Sequence, residues 1–227
     1  MTAELFDAAE FDDSNPEPRC PCVLLLDTSG SMAGERIAAL NAGLVSFAEE
    51  LTRDELARLR VEIAIISFGG RAELAADFVT ADRFSPPVLG TAGDTPMGSG
   101  IELALDLIES RKQTYKANGT PYFRPWVFLV TDGEPTDGTR WQEAARRVQS
   151  AESGRKVSFF AVGVGAVNLK ILGEINPARA PLLLQGLKFR EMFQWLSASM
   201  QSVSRAEPGA DVPLQTPIGW ASTGTGA

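Results

Sequence analysis

Histidine is absent from the 227 residues of this chain, and no Walker-type phosphate-binding loop occurs in it. A Ser-His-Asp triad therefore cannot be assembled from this chain alone, and neither can a P-loop nucleotide site. Imidazole is also excluded as a metal ligand, which disfavours the softer metals that prefer it.

Cysteine is almost as scarce, because Cys20 and Cys22 are the only two in the chain. A disulfide between residues so close in sequence is strained, and zinc needs more ligands than the chain offers. We expect two reduced thiols that flank the first strand, with Cys22 partly buried. A redox-sensing role stays open on the sequence alone.

Long apolar runs and clustered positive charge are lacking as well. No run approaches the roughly 18 apolar residues that indicate a membrane-spanning helix, and the N-terminus is acidic instead of basic and apolar. With 21 basic against 29 acidic side chains, the chain does not resemble a nonspecific nucleic-acid binder. We therefore expect a cytoplasmic protein that binds neither membranes nor nucleic acid.

The composition divides the chain into three parts. Residues 20–205 have the length and apolar content of one α/β domain. Residues 206–227 are rich in proline and glycine, so we expect an extended strap held by Ile218 and Trp220, with a disordered end. Residues 1–19 predict a solvated, disordered leader, because Arg19 is the one basic residue among six acidic ones: Glu4, Asp7, Glu10, Asp12, Asp13 and Glu17.

Alternating strand and helix patterns predict a doubly wound α/β fold with a mostly parallel sheet and helices on both faces. The buried strands are expected at residues 22–26, 61–68, 126–131, 156–162 and 181–184. The pair Gly69-Gly70 predicts a tight turn into one antiparallel edge strand at 72–79. Helices are expected at residues 34–51, 98–111, 139–153, 169–175 and 188–203, and loops at 80–97 and 112–125.

Five side-chain oxygens are expected to meet at one edge of this sheet. Asp27, Ser29 and Ser31 follow the first strand, Thr95 precedes a helix, and Asp132 follows the fourth strand. Because ligands bind outside the carboxyl ends of parallel strands, these residues should converge. An oxygen-only donor set that leaves room for water favours Mg²⁺, with Mn²⁺ or Ca²⁺ as alternatives. An Asp or Glu of a partner protein could then fill an open coordination position.

The same spacing resembles the metal-ion-dependent adhesion site (MIDAS) of von Willebrand factor A (VWA) domains, which have a Rossmann-like fold. Their pattern is Asp-x-Ser-x-Ser, a distant Thr and a distant Asp, here Asp27, Ser29, Ser31, Thr95 and Asp132. Residues 25–32, 130–137 and 193–204 are further similar to TerY-type members. That resemblance implies a bacterial tellurite-resistance or stress-response system, with a PP2C-type phosphatase and a serine/threonine kinase as possible partners.

The resemblance implies a protein-interaction module that is not an enzyme, but two alternatives stay open. One is a magnesium-dependent phosphoryl-transfer enzyme with Asp27 as nucleophile, although Ser29 stands where such enzymes place a second acid. The other is a VWA partner subunit of an AAA+ ATPase. A further hypothesis is that Asp12, Asp13 or Glu17 of the leader swings to the open metal position and masks the site, either in the same molecule or in a neighbouring one.

Overall fold

A computed structural model of the chain describes residues 11–210, 212 and 216–223. Its centre is a seven-stranded sheet with the order β3-β2-β1-β4-β5-β6-β7. Strands β1, β2, β4, β5 and β6 are parallel, while β3 pairs antiparallel with β2 and β7 antiparallel with β6. The strands are β1 (Cys20–Asp27), β2 (Val61–Gly69), β3 (Arg71–Thr80), β4 (Trp126–Thr131), β5 (Ser158–Val164), β6 (Leu182–Leu184) and β7 (Ala221–Thr223).

Helices cover both faces of the sheet, as the apolar strands require. They are α1 (Glu35–Arg53), α2 (Ala57–Arg60), α3 (Met97–Ala117), α4 (Arg140–Ser153), α5 (Leu169–Ile175) and α6 (Phe189–Arg205). In β1, Leu24 and Leu26 pack with α1 and α6 on one face. Val23 and Leu25 pack with α3 and α4 on the other. The alternation along one strand therefore fills two separate cores.

The predicted fold class is confirmed, with one addition and two differences in the helices. The strand β7 makes a second antiparallel edge. The short helix α2 was not expected, and α3 continues through Ala117 instead of giving way to a loop after residue 111. The last turns of α3 are helical because Arg111 and Tyr115 are buried and bonded to Glu62 of β2, a tertiary contact that the local sequence does not reveal.

Both cysteines lie inside β1 instead of flanking it. They are free thiols and fully buried, so the expectation that Cys22 is only partly buried was wrong. Burial raises the pKa of the Cys20 thiol to about 12, and Glu62 adds to this shift. The pKa of Cys22 is raised even further, again mainly by burial. Neither thiol has the exposure or the low pKa of a reactive cysteine.

Residues 11–19 differ from the solvated leader that the composition suggests, while residues 1–10 lie outside the described part of the chain. The Arg19 guanidinium is fully buried and donates to the Glu62 carboxylate at 3.1 Å. It also donates to the backbone carbonyls of Asp12, Asn15 and Glu17. A buried guanidinium needs such acceptors, and supplying them folds residues 12–17 against the domain.

For two of the three acids, this arrangement also contradicts masking of the metal position within the same molecule. Glu17 pairs with Arg60 at 2.6 Å, and Asp12 lies near Arg83 at 3.9 Å. Arg60 immediately precedes β2, and Glu17 lies shortly before β1. They therefore lie at the amino ends of the strands, whereas Asp27 lies at the carboxyl end of β1. The third acid, Asp13, is exposed.

Residues 216–223 of the C-terminal segment lie at the sheet edge, where β7 pairs with β6. Trp220 is buried and its ring lies 5.4 Å from that of Trp195, and its carbonyl accepts from the Gln185 backbone. Ile218, which we expected to be held as well, is 84% exposed. The turn before β7 points this side chain outward. No helix in the described ranges combines the length and the apolar character needed to cross a membrane.

Candidate metal centre

The candidate site lies at the carboxyl ends of β1 and β4. These strands are parallel neighbours with Leu26 opposite Val130, so Asp27 and Thr131 end side by side. The loop that carries Thr95 is drawn over these ends by backbone hydrogen bonds from Gly30 to Gly93 at 3.0 Å and from Ala92 to Thr28 at 2.8 Å. Sheet register and loop pairing together bring three distant stretches to one place.

Four of the five predicted residues are linked directly by hydrogen bonds. The Ser29 and Ser31 hydroxyls are 3.0 Å apart, and the Ser31 hydroxyl donates to Asp132 Oδ1 at 2.6 Å. The Ser29 backbone N–H donates to Asp27 Oδ1 at 2.8 Å. Residues from the first and fourth strands therefore form one continuous polar cluster.

Thr95 lies at the same cluster without a hydrogen bond from its own hydroxyl to the other four. A Cβ added at Gly133 would lie 3.1 Å from Thr95 Oγ1 and 3.7 Å from Asp27 Oδ2, so both oxygens face Gly133. The Thr95 backbone is fixed by Thr136, which accepts from the Thr95 N–H at 3.0 Å and donates its own N–H to the Thr95 carbonyl at 3.0 Å. The structure thus brings all five predicted residues together.

Two acidic residues of the loop after β4, which borders the site, have hydrogen-bond partners outside the cluster. Glu134 accepts from the Asn168 side chain at 3.0 Å. Asp137 accepts from the Ser99 N–H at 2.9 Å, in the first turn of α3. These contacts fix the loop after β4 to α3 and α5.

Two residues of the site were missed by sequence reasoning. The Thr131 hydroxyl donates to Asp27 Oδ2 at 2.5 Å, and its position directly before Asp132 was a usable signal. Arg36 donates to Asp132 Oδ2 at 2.5 Å and to the Ser31 carbonyl at 3.0 Å. No spacing rule identifies Arg36, because it reaches the site from the first turn of α1.

The electrostatics of the cluster favour a cation. Burial raises the pKa of the Asp27 carboxyl, hydrogen bonds from Ser29 and Thr131 lower it, and the nearby Asp132 charge raises it further. Keeping two carboxylates charged in such a place requires positive charge or several donors. Arg36 supplies one positive charge at the outer side. Two carboxylates and three hydroxyls are hard oxygen donors, and they fit a divalent cation of the Mg²⁺ type that keeps some of its waters.

The comparison with protein families identifies the fold family. A profile described as the von Willebrand factor type A domain matches residues 22–182. The chain belongs to the VWA domain family. Such domains are known for metal-dependent protein interaction through the MIDAS motif, and the five gathered residues follow that motif in order.

Relatives of known sequence or structure are distant. The chain is 26% identical over 153 residues to inter-alpha-trypsin inhibitor heavy chain H4 of Sus scrofa, and the match covers 63% of this chain but 15% of that protein. The pilus adhesin SpaC of Lactobacillus rhamnosus GG aligns with a TM-score of 0.63 at 14% identity, covering 83% of this chain and 31% of SpaC. At these levels of identity and coverage, the comparisons support the fold of the domain. They do not assign the activities of the longer proteins to this chain.

One structural neighbour bears on the metal. Proximal thread matrix protein 1 from the mussel byssus, with zinc occupying its MIDAS motif, aligns with a TM-score of 0.55 at 17% identity. The alignment covers 81% of this chain and 48% of the mussel protein. A divalent cation at this motif is therefore seen within the same fold.

Proposed function

We propose that this VWA domain is a divalent-metal-dependent protein-binding module without catalytic activity. Asp27, Ser29, Ser31, Thr95 and Asp132 would hold Mg²⁺, with Mn²⁺ or Ca²⁺ as alternatives, and a partner protein would contribute an Asp or Glu. The observation that carries this proposal is the hydrogen-bonded series Ser29, Ser31 and Asp132 beside the buried Asp27.

The residues of the site have different roles, according to how deeply each side chain is buried. Asp27 is fully buried, and its two oxygens are oriented by the Ser29 N–H and the Thr131 hydroxyl. Ser31 is exposed, so the cluster opens to solvent on that side. A bound divalent cation supplies strong local attraction for an anionic oxygen at this opening. Arg36, whose side chain is 39% exposed, adds a second positive charge at the same rim.

An enzymatic role of Asp27 receives little support from this geometry. Asp27 has no solvent-exposed surface, and both carboxylate oxygens already accept hydrogen bonds. A nucleophile has to reach its substrate, whereas the exposed residue of this cluster is Ser31. The opening of the cluster to solvent at Ser31 supports the non-enzymatic proposal instead.

The biological system is proposed from the sequence resemblance. Residues 25–32, 130–137 and 193–204 are similar to TerY-type proteins. We therefore propose a role in a bacterial tellurite-resistance or stress-response system in the cytoplasm, with a PP2C-type phosphatase and a serine/threonine kinase as partner candidates. A VWA partner subunit of an AAA+ ATPase is the second candidate, because it would use the same metal site.

Isothermal titration with Mg²⁺, Mn²⁺ and Ca²⁺ tests the metal site. Asp27→Ala and Thr95→Ala should each weaken binding roughly tenfold or more. Thr139→Ala removes an exposed hydroxyl just before α4 and serves as the matched control. Unchanged affinity in folded Asp27→Ala and Thr95→Ala proteins would refute the site.

Partner capture then tests the function. Wild-type protein on a resin should retain a bacterial protein in Mg²⁺ and release it in EDTA, and the Asp27→Ala protein should retain little of it. If neither EDTA nor the Asp27→Ala substitution reduces the amount of protein captured, the result would argue against metal-dependent binding. The identity of the captured protein distinguishes a phosphatase or kinase from an AAA+ ATPase.

A further inference from the structure

A second concave site lies at the opposite end of the sheet from Asp27. Its cavity of about 540 Å³ lies beneath the first residues of β4 and β5, Trp126 and Ser158. Trp126 and Phe160 are buried there with their ring centroids 4.9 Å apart. Cavities of several hundred Å³ commonly hold small molecules. Basic side chains form much of the lining: Lys112, Arg124, Arg155, Lys156 and Arg179.

Among the described residues that line this cavity, basic side chains outnumber acidic ones. Glu152 accepts from Arg124 at 2.8 Å and from Arg179 at 3.1 Å, so one carboxylate serves two guanidinium groups. Lys112 pairs with Glu109 at 2.9 Å. Among the residues that the structure describes, the Lys156 ammonium has no hydrogen bond or ion pair. This excess is notable in a chain whose net charge is -8.

Hydrogen bonds hold the guanidinium groups of Arg124 and Arg179 in place, and each group still has N–H donors available for a ligand. Arg124 donates its Nε to the Val157 carbonyl at 2.6 Å and one terminal nitrogen to Glu152. Arg179 donates its Nε to Glu152, and its guanidinium lies 4.8 Å from the centroid of the Phe160 ring. Each arginine has a terminal nitrogen, Nη1, without a hydrogen-bond partner in the described ranges. A planar guanidinium group that is fixed in place and has free N–H groups is well suited to bind phosphate oxygens.

The electrostatics of Arg124 agree with an anion site. Burial lowers the pKa of the Arg124 guanidinium, Glu152 raises it, and the positive charges of Arg179 and Arg155 lower it. An anion bound between Arg124 and Arg179 would relieve the repulsion between these two charges. The cations line a cavity and not an open stripe, and the chain as a whole is acidic, so a nucleic acid is a poor fit.

We propose that this cavity binds the phosphate chain of a small molecule, through Arg124, Arg179 and Lys156. Inorganic polyphosphates and nucleoside di- or triphosphates share this chemistry. Trp126 and Phe160 lie in the floor and are almost fully buried, so recognition rests on the phosphates and not on stacking of a base. The site lies away from the MIDAS residues and is independent of the proposed metal-dependent function.

Isothermal titration with inorganic triphosphate, pyrophosphate and ATP tests the proposal. Each titration is run in EDTA, so that phosphate bridging to a metal at Asp27 cannot contribute. Lys156→Gln and Arg179→Gln should each weaken triphosphate binding about tenfold, as expected for one charge-assisted contact. Lys170→Gln changes an exposed lysine on α5 and is the matched control.

The outcomes separate the possibilities. Equal affinity for triphosphate and ATP supports recognition of the phosphate chain alone, and tighter binding of ATP, lost in the same variants, supports a nucleotide as the source. No binding at millimolar concentrations would overturn the proposal, and so would equal losses in Lys156→Gln and Lys170→Gln. Lys156 is exposed, so Lys156→Glu should remain folded by circular dichroism, and it should abolish binding.

Discussion

The buried carboxylate of Glu62 makes a strong prediction about stability. Glu62 lies in β2 with 1% of its surface exposed. It accepts from Arg19 Nε at 3.1 Å, from Arg111 Nε at 2.8 Å and Nη2 at 2.9 Å, and from the Tyr115 hydroxyl at 2.5 Å. Glu62→Gln keeps the shape of the side chain but leaves two buried guanidinium groups without their shared counter-charge.

The size of the effect follows from burial. The Arg19 side chain is fully buried and that of Arg111 is 8% exposed, so water screens neither charge. Breaking a buried ion pair by removing one partner costs about 3–5 kcal/mol. For a domain of this length, each kcal/mol lowers the melting temperature by about 2–4 °C. We expect Glu62→Gln to melt roughly 6–20 °C below the wild type.

Urea unfolding monitored by tryptophan fluorescence measures the loss in free energy of unfolding, and thermal unfolding monitored by circular dichroism measures the fall in melting temperature. Glu49→Gln is the matched control, because the Glu49 and Arg53 side chains of its ion pair are both largely exposed. It should unfold with the wild-type midpoint, since exposed pairs contribute little. A loss of less than about 1 kcal/mol in Glu62→Gln would refute the claim that the Glu62 charge stabilises this cluster.

Three further predictions concern the metal site and the thiols. Arg36→Ala should tighten Mg²⁺ binding roughly fivefold in isothermal titration, because a repulsive surface charge worth about 1 kcal/mol is removed; weaker binding would show that Arg36 organises the site instead. Gly69→Ala should lower stability and abolish metal binding, because its Cβ would lie 2.2 Å from the Thr28 carbonyl oxygen; wild-type melting and titration curves would contradict this. Cys20 and Cys22 should not react with Ellman's reagent at pH 8 until urea unfolds the protein, since both are buried with raised pKa values; rapid labelling of native protein would restore the redox hypothesis.

Local pattern was informative wherever a feature depends on short stretches of chain. Strand and helix positions followed from apolar periodicity, and the antiparallel β3 followed from the Gly69-Gly70 turn. The metal-site residues were predicted because each stands at the end of a strand or before a helix, and parallel strands send those ends to one edge. Each of these inferences uses spacing that the sequence displays directly.

Contacts between distant residues required the tertiary structure. The burial of Arg19 beside Glu62, the added turns of α3 and the ordering of residues 12–17 all follow from one charge cluster that joins three elements. The basic residues of the cavity come from separate segments of the chain: Lys112, Arg124, Lys156 and Arg179. The sequence therefore contains no basic run that would predict the cavity.

The sequence by itself determined the VWA fold class and five oxygen-bearing residues suited to a metal, because periodicity and strand ends are local properties. Only the tertiary structure decided that Arg36 reaches Asp132, that residues 12–17 lie against the domain, and that a basic cavity forms at the far end of the sheet. Ion pairs and cavities depend on which side chains meet after folding. The packing of whole helices and strands determines which side chains come into contact, and no local sequence pattern encodes that packing.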